Sequence, residues 1–378
     1  MKIFLTGIET NNKGAELMLY AILQEIERKY PDSTIYIEKE RIKQGVCYLK
    51  TAIKIVLVEN KLKTIFNKYH INGILKRLGM KEYLRLPYIP RFDYLIDGSG
   101  LAFTDSMIDE YTGIYWAQVI DLANKYNAKK IFLPQGFGPF NKQSTKRIVS
   151  NIINNANLMF ARDTVSLGYL KNFTNGDIHN IKLSPDFTSF VKGYLPKEYE
   201  HLKGGVCIIP NSQMINKGEV SENEYLTFIS SVVTELEKYG KKLVILNHQG
   251  KDDLVLIDKI KEGLRTPIEI VTGQNALVTK GIISSSYLVV TSRFHGLASS
   301  LNSGVPCLST SWNHKYKCLL NDYDLENCLL SVKDLKHDIQ LINKYMDVDF
   351  NNNVRHLLDK GIQKANEQTK AMWKLVWN

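Results

Sequence analysis

The chain has 378 residues, 44% of them hydrophobic and 23% charged, and carries a formal net charge of +10. That length favours two cores over one, and the composition excludes the disordered, collagen-like and disulfide-stapled classes. No apolar run approaches the ~18 residues of a membrane-spanning helix. The five cysteines (Cys47, Cys207, Cys307, Cys318, Cys328) form no CxxC pair. Such a set fits a reducing, cytoplasmic setting and small apolar roles, with no metal centre expected.

In chain order, apolar runs of strand length alternate with segments of helical period. MKIFLTGIET reads as a first strand and not as a signal peptide. The helix GAELMLYAILQEIERKY and the strand STIYIEKE follow. A basic segment then runs from Arg41 to Arg91, with twelve Lys and Arg against Glu59 and Glu82, which equals the whole excess charge. Within it, VCYLKTAIKIVLVENKLKTIFNKYHINGILKRL interleaves lysines with apolar residues. One reading is the solvated outer face of a helix. The other is a patch resting on an anionic membrane or polymer, where each near-surface cation contributes ~1 kcal/mol. No nucleic acid is expected, because no binding motif accompanies the charge.

The alternation resumes with the strand DYLIDGSG, the helix DEYTGIYWAQVIDLANKY and the strand KIFLPQGFG. A helix through KRIVSNIINN, the strand NLMFARD, the helix VSLGYLKN and the strand HNIKLSPDF complete this half. Pro, Gly and charged residues cluster at 190–204, which predicts domains over 1–195 and 196–378. The second half repeats the pattern through GVCIIPN, KLVILNH, IEIVTG, YLVVTSRF and PCLSTSW, and ends in an amphipathic helix. The fold class expected is α/β, with two Rossmann-like domains, parallel sheets and an active site in the cleft between them. Ligands in such sheets sit beyond the carboxyl ends of the strands.

The polar clusters at those ends are therefore the candidates. NNKGAE opens a helix, so Asn12 and Glu16 either cap it or help its free N–H groups hold an anion or a hydroxyl. In DGSGLAFTD and PQGFGPF, Asp97, Asp105 and Gln135 can grip hydroxyls, although tight turns explain the glycines equally well. Arg162 either binds an anion or pairs with Asp163, which caps the next helix. SRFHG is the sharpest cluster: Arg293 offers a planar fork for carboxylate or phosphate. Two residues later, His295 can give or take a proton near neutrality. His314 and Lys315 close the next strand. There is no GxGxxG fingerprint, P-loop, HExxH or GxSxG elbow.

GIETNNKGAEL, DGSGLAFTD, QGFGPF, ARDTVSLGYL, SPDF and SRFHGLASSLNSGVPCLSTSWNHKY, in that order and spacing, resemble the polysaccharide pyruvyl transferase family along most of the chain. Two departures stand out. Gly-Ser-Gly replaces a frequent glycine triplet, and Lys-Gly-Ala-Glu replaces Gly-Asp-Glu. The resemblance implies a glycosyltransferase-B-like arrangement and transfer of pyruvate from phosphoenolpyruvate to two hydroxyls of a sugar. The product is a cyclic ketal, with phosphate released and no further cofactor or metal. It implies His295 as the acid with Arg293, a donor site of Arg162, Arg293, His314 and Lys315, and an acceptor site of Asn12, Glu16, Asp97, Asp105 and Gln135. The acceptor would be a surface polysaccharide or its lipid-linked precursor, with the enzyme cytoplasmic or peripheral at the inner membrane face through residues 41–91. The alternative is a glycosyltransferase of the same fold that uses a nucleotide sugar.

Overall fold

The computed structural model describes residues 1–42, 53–59, 86–217, 220–248, 250–313 and 315–378. Most of the basic segment, residues 43–52 and 60–85, therefore lies outside the described residues, as do Cys47 and His314. The chain divides into two compact units. Met1–Asn11, Met18–Phe187 and Ala371–Asn378 form the first, and Asn12–Leu17 with Thr188–Lys370 the second.

The first unit is built on a parallel sheet of β1 (Lys2–Thr6), β2 (Thr34–Glu38), β3 (Lys54–Val58), β4 (Tyr94–Asp97), β5 (Lys129–Gln135), β6 (Leu158–Ala161) and β7 (Ile181–Leu183). Their spatial order is β3-β2-β1-β4-β5-β6-β7. Central strands such as IFLT and KIFLPQ are buried along almost their whole length. That is why they read as continuous apolar runs and not as alternating ones. Phe103 packs on Trp116 and Phe132 at 5.0 and 5.9 Å between ring centroids, within this unit's core. The order reverses between β1 and β4, where Thr6 and Asp97 lie in register at the carboxyl ends.

One expectation is corrected here. Lys54–Val58 lies in the basic stretch for which a helix face was one reading, yet it is an edge strand parallel to β2. KIVLV is rich in β-branched residues, which favour a pleated, half-buried surface. Its leading lysine is exposed, a common way to blunt a sheet edge.

The second unit repeats the plan with β8 (Val206–Ile209), β9 (Leu243–Leu246), β10 (Glu269–Val271), β11 (Leu288–Thr291) and β12 (Cys307–Ser309), in the order β10-β9-β8-β11-β12 and all parallel. Its reversal falls between β8 and β11, with Thr291 in register with Ile209. The last helix, Val348–Trp377, is shared by the two units. In the second, Arg355 donates to the carbonyls of Tyr287 at 2.8 Å and Gly304 at 3.1 Å. In the first, Trp377 Nε1 donates to Glu25 Oε1 at 3.0 Å. Among the described residues, no helix is long and apolar enough to cross a membrane.

Candidate functional site

In the second unit the carboxyl ends of β8, β9, β11 and β12 converge on Ser292-Arg293-Phe294-His295. A dense polar network fixes this turn. The Ser292 carbonyl accepts from Asn211 Nδ2 at 2.8 Å and from the Tyr316 hydroxyl at 2.9 Å. Thr310 Oγ1 donates to Ser292 Oγ at 2.7 Å, and the Tyr225 hydroxyl lies 2.7 Å from that same oxygen. Burial is the chief cause that pushes the Tyr225 hydroxyl up to about 12, so it stays a neutral hydrogen-bonding group. The turn is thus held from four neighbouring segments before its side chains are considered.

Arg293 precedes the helix Phe294–Leu301. Its Nε donates to Asp253 Oδ2 at 2.9 Å, and its Nη2 forms an ion pair with the same oxygen. Asp253 is fully buried, and its other oxygen accepts from the Ser212 N–H and hydroxyl at 3.0 and 2.9 Å. One carboxylate therefore sets the plane of the guanidinium. His295, half-buried, stands one residue into the same helix.

The first turn of α1 (Lys13–Lys29) belongs to this unit as well. Asn12 caps it, with Oδ1 accepting from the Gly14 N–H at 2.9 Å. Lys13 Nζ donates to Glu16 Oε2 at 2.7 Å, and both side chains are buried. Gly14 lies against the His295 imidazole. A Cβ there would fall 2.5 Å from the ring Cγ and closer still to Nδ1 and Cε1. Lys315 sits 4.9 Å from the Phe294 ring centroid and 5.1 Å from that of Trp312, a cation held over aromatic faces. His248, just past β9, is buried, and its imidazole is held well below the ordinary histidine value. Burial is the first cause, and the charges of Arg293, His295 and Lys13 add to it.

The arrangement gathers three cationic side chains and a neutral imidazole around His295, at the N-terminal ends of two helices. The helix dipole favours an anion at such a place. Each of Lys13 and Arg293 carries its own carboxylate, so the cations keep their geometry without a ligand.

Asn12, Glu16, Arg293, His295 and Lys315 are thus grouped in the second unit, whereas Asp97, Asp105, Gln135 and Arg162 belong to the first. Asp97 is fully buried and accepts from Ser99 Oγ and from Gln135 Nε2, both at 2.8 Å. Gln135 Oε1 is buried and has no hydrogen-bond partner among the described residues. Arg162 is buried beneath the glycine-rich strand ends. Its guanidinium nitrogens lie 3.9 and 3.7 Å from where Cβ atoms on Gly100 and Gly136 would stand. Asp163 caps the next helix by accepting from the Ser166 N–H at 2.7 Å. Asp105 stands apart from Asp97 in role. Its carboxylate accepts from the Asn141 and Lys142 N–H groups at 2.7 and 3.1 Å, which pins the loop after β5.

Burial raises the Asp97 carboxyl to about 6, and the bonds from Ser99 and Gln135 offset this only in part. An unfolded aspartate ionises near 3.8. The folded chain therefore holds the extra proton between these values, so Asp97 costs stability as pH rises from ~4 to ~6, by on the order of 3 kcal/mol in all. Asp97→Asn is expected to remove this fall. Thermal melts of the two proteins across that window should converge at the acid end and diverge above it. Parallel profiles would contradict a protonated Asp97.

Sequence reasoning missed His248, Asp253 and Lys13. His248 and Asp253 belong to NHQGKDD, a polar cluster after β9 whose position alone was the signal. Lys13 was inside the quoted NNKGAE.

The comparisons with known proteins bear on fold and on family separately. No curated protein matches the chain. Among solved structures, a UDP-N-acetylglucosamine 2-epimerase superposes with a TM-score of 0.61 at 12% identity, covering 99% of this chain and 94% of the other. S. aureus MnaA in complex with UDP gives 0.58 at 12% identity, covering 95% and 90%. WaaG, a glycosyltransferase involved in lipopolysaccharide biosynthesis, gives 0.55 at 12% identity, covering 98% of each chain. At such identities the likeness shows a fold, the glycosyltransferase-B-like pair of Rossmann units. The sequence model of one family, polysaccharide pyruvyl transferase, matches residues 12–314, a span that runs from the Asn12 cap past the Arg293–His295 turn. By that match, the chain belongs to the polysaccharide pyruvyl transferase family.

Proposed function

We propose that the chain transfers pyruvate from phosphoenolpyruvate to two hydroxyls of a sugar in a surface polysaccharide or its precursor. The observation that carries this reading is the turn that sets a half-buried His295 two residues from Arg293, with Lys13 and His248 close by. Phosphoenolpyruvate bears a phosphate and a carboxylate. Arg293, aimed by Asp253, offers a planar fork to one of them, and Lys13 and Lys315 add positive charge.

In the proposed reaction His295 protonates the enol CH2 carbon, which becomes the methyl group. A sugar hydroxyl bonds to the adjacent carbon, the C–O bond to phosphate breaks, and the second hydroxyl closes the ketal. One of the two hydroxyl protons replaces the one that His295 gave. The other leaves with phosphate. Asp97 and Gln135 remain proposed acceptor groups, supported by the buried Gln135 Oε1, which has no partner among the described residues.

The test is phosphate release from phosphoenolpyruvate with a panel of lipid-linked and nucleotide-linked sugars, run beside consumption of the sugar nucleotides. Phosphate release that needs an acceptor is expected, and His295→Ala should lower turnover by about 10²–10⁴. Consumption of a sugar nucleotide with phosphoenolpyruvate untouched would favour a glycosyltransferase. A loss of glycan affinity alone, with no turnover in any pairing, would indicate a binding module.

A further inference from the structure

His248 is the group in the second unit that the proposed reaction leaves without a task. It follows β9, a strand hydrogen-bonded to β8, whose own carboxyl end leads into Asn211 and Ser212 of the network that fixes Arg293. The side chain is only 4% exposed, and its Nδ1 is buried with no hydrogen-bond partner among the described residues beyond a minor contact of the imidazole with its own backbone. Buried polar atoms are paired in the great majority of cases, and an unpaired one costs about 1–3 kcal/mol. An apolar side chain would fill the same space without that cost. A structural role therefore does not account for the imidazole.

Its surroundings do. The ring lies within electrostatic reach of Arg293, His295 and Lys13, three groups that oppose a further positive charge. Among the described residues, Asp253 and Glu16 are carboxylates of this cluster, and they are bonded to Arg293 and Lys13. A neutral imidazole has one N–H donor and one acceptor. An anion drawn in by the cations accepts hydrogen bonds and offers none, so the ring would meet it with its N–H.

We infer that His248 Nδ1–H donates a hydrogen bond to the phosphate or carboxylate of the ligand held beside Arg293 and His295. His248 is thereby a binding residue of the anion site, one that adds a directional donor without adding charge. The inference rests on the reading of this turn as an anion site. It does not depend on pyruvyl transfer.

The test uses the full chain and three variants, His248→Leu, His248→Asn and His248→Gln. The Asn amide can occupy the place of Nδ1, and the Gln amide that of Nε2. Binding of phosphoenolpyruvate, inorganic phosphate and pyruvate is measured by calorimetry, with circular dichroism to establish that each variant is folded. His248→Leu should weaken binding by about 10- to 100-fold, the range for a hydrogen bond to a charged group. Asn should recover most of that loss and Gln little of it. Long-range ¹H–¹⁵N spectra should show the His248 Nδ1 resonance move on ligand addition. Whether phosphate or pyruvate shows the dependence identifies the group contacted.

Binding by His248→Leu equal to that of the wild type for all three ligands overturns the inference, as does recovery by Gln and not Asn. Wild-type binding of inorganic phosphate that depends on His248, with no binding of phosphoenolpyruvate, would sink the pyruvyl reading and leave this inference standing. Failure of the wild type to bind any of the three removes both.

Discussion

Gly14→Ala is expected to cost the protein as much turnover as His295→Ala, about 10²–10⁴-fold, while leaving it folded. The reason is local. A single methyl group on residue 14 would occupy the space of the His295 ring, 2.5 Å from Cγ. A histidine side chain can rotate away from such an intrusion, so the fold survives and the imidazole leaves its place. Alanine is also the better helix former, by about 1 kcal/mol, and residue 14 lies in the first turn of α1. Overpacking costs about 1–3 kcal/mol, offset in part by the helix preference, so some stability should be lost while activity falls far more. The double variant Gly14→Ala/His295→Ala should be no worse than either single one, because both remove the same group. Full activity in Gly14→Ala would mean that the imidazole does its work elsewhere, or none.

Asp253→Ala should produce the largest loss of stability of any single substitution at the site, about 3–5 kcal/mol by chemical denaturation. Asp253 is fully buried, and its two oxygens serve Arg293 on one side and Ser212 on the other. Its removal leaves a largely buried guanidinium without its counter-charge and the Ser212 N–H without an acceptor. Binding of the donor should fail as well, since the fork is no longer held in plane. Adding Arg293→Met to Asp253→Ala separates the two effects. Replacing both members of a buried pair by apolar groups is often close to neutral, so much of the stability should return. Activity should not. If Asp253→Ala costs under about 1 kcal/mol, the pair behaves as a surface bridge and does not organise the turn.

Each feature is legible in the sequence to the extent that its signal is local. Central strands such as IFLT and LVVT are buried on both faces, so apolar runs mark them and their order gives the doubly wound plan. The edge strand Lys54–Val58 was less legible. It has one protected flank, and the lysines around it imitate an amphipathic helix. Arg293 and His295 could be found because a strand end followed at once by a helix start is visible in a line of text. Asp253 could not, because it reads as one of two acidic residues in an exposed first turn, and only the tertiary fold brings it to Arg293, 40 residues away. His248 was hidden for the same reason.

The strand-end clusters also turned out to be partly self-serving. Asn211, Ser212 and Thr310 bond to the Ser292 turn and to Asp253, and Asp105 bonds to backbone. Polar residues at strand ends were thus a guide to where the site lies. They did not say which of its members face a ligand.

The central claim is that the imidazole of the Ser-Arg-Phe-His turn hands a solvent-derived proton to the enol carbon of phosphoenolpyruvate. The most direct measurement is mass analysis of a sugar acceptor after incubation with phosphoenolpyruvate in deuterated water. The predicted result is an acceptor heavier by pyruvate less water, with one deuterium in the new methyl group, formed by the wild type and lost in His295→Ala. An equal yield of the same labelled ketal from His295→Ala would contradict the claim.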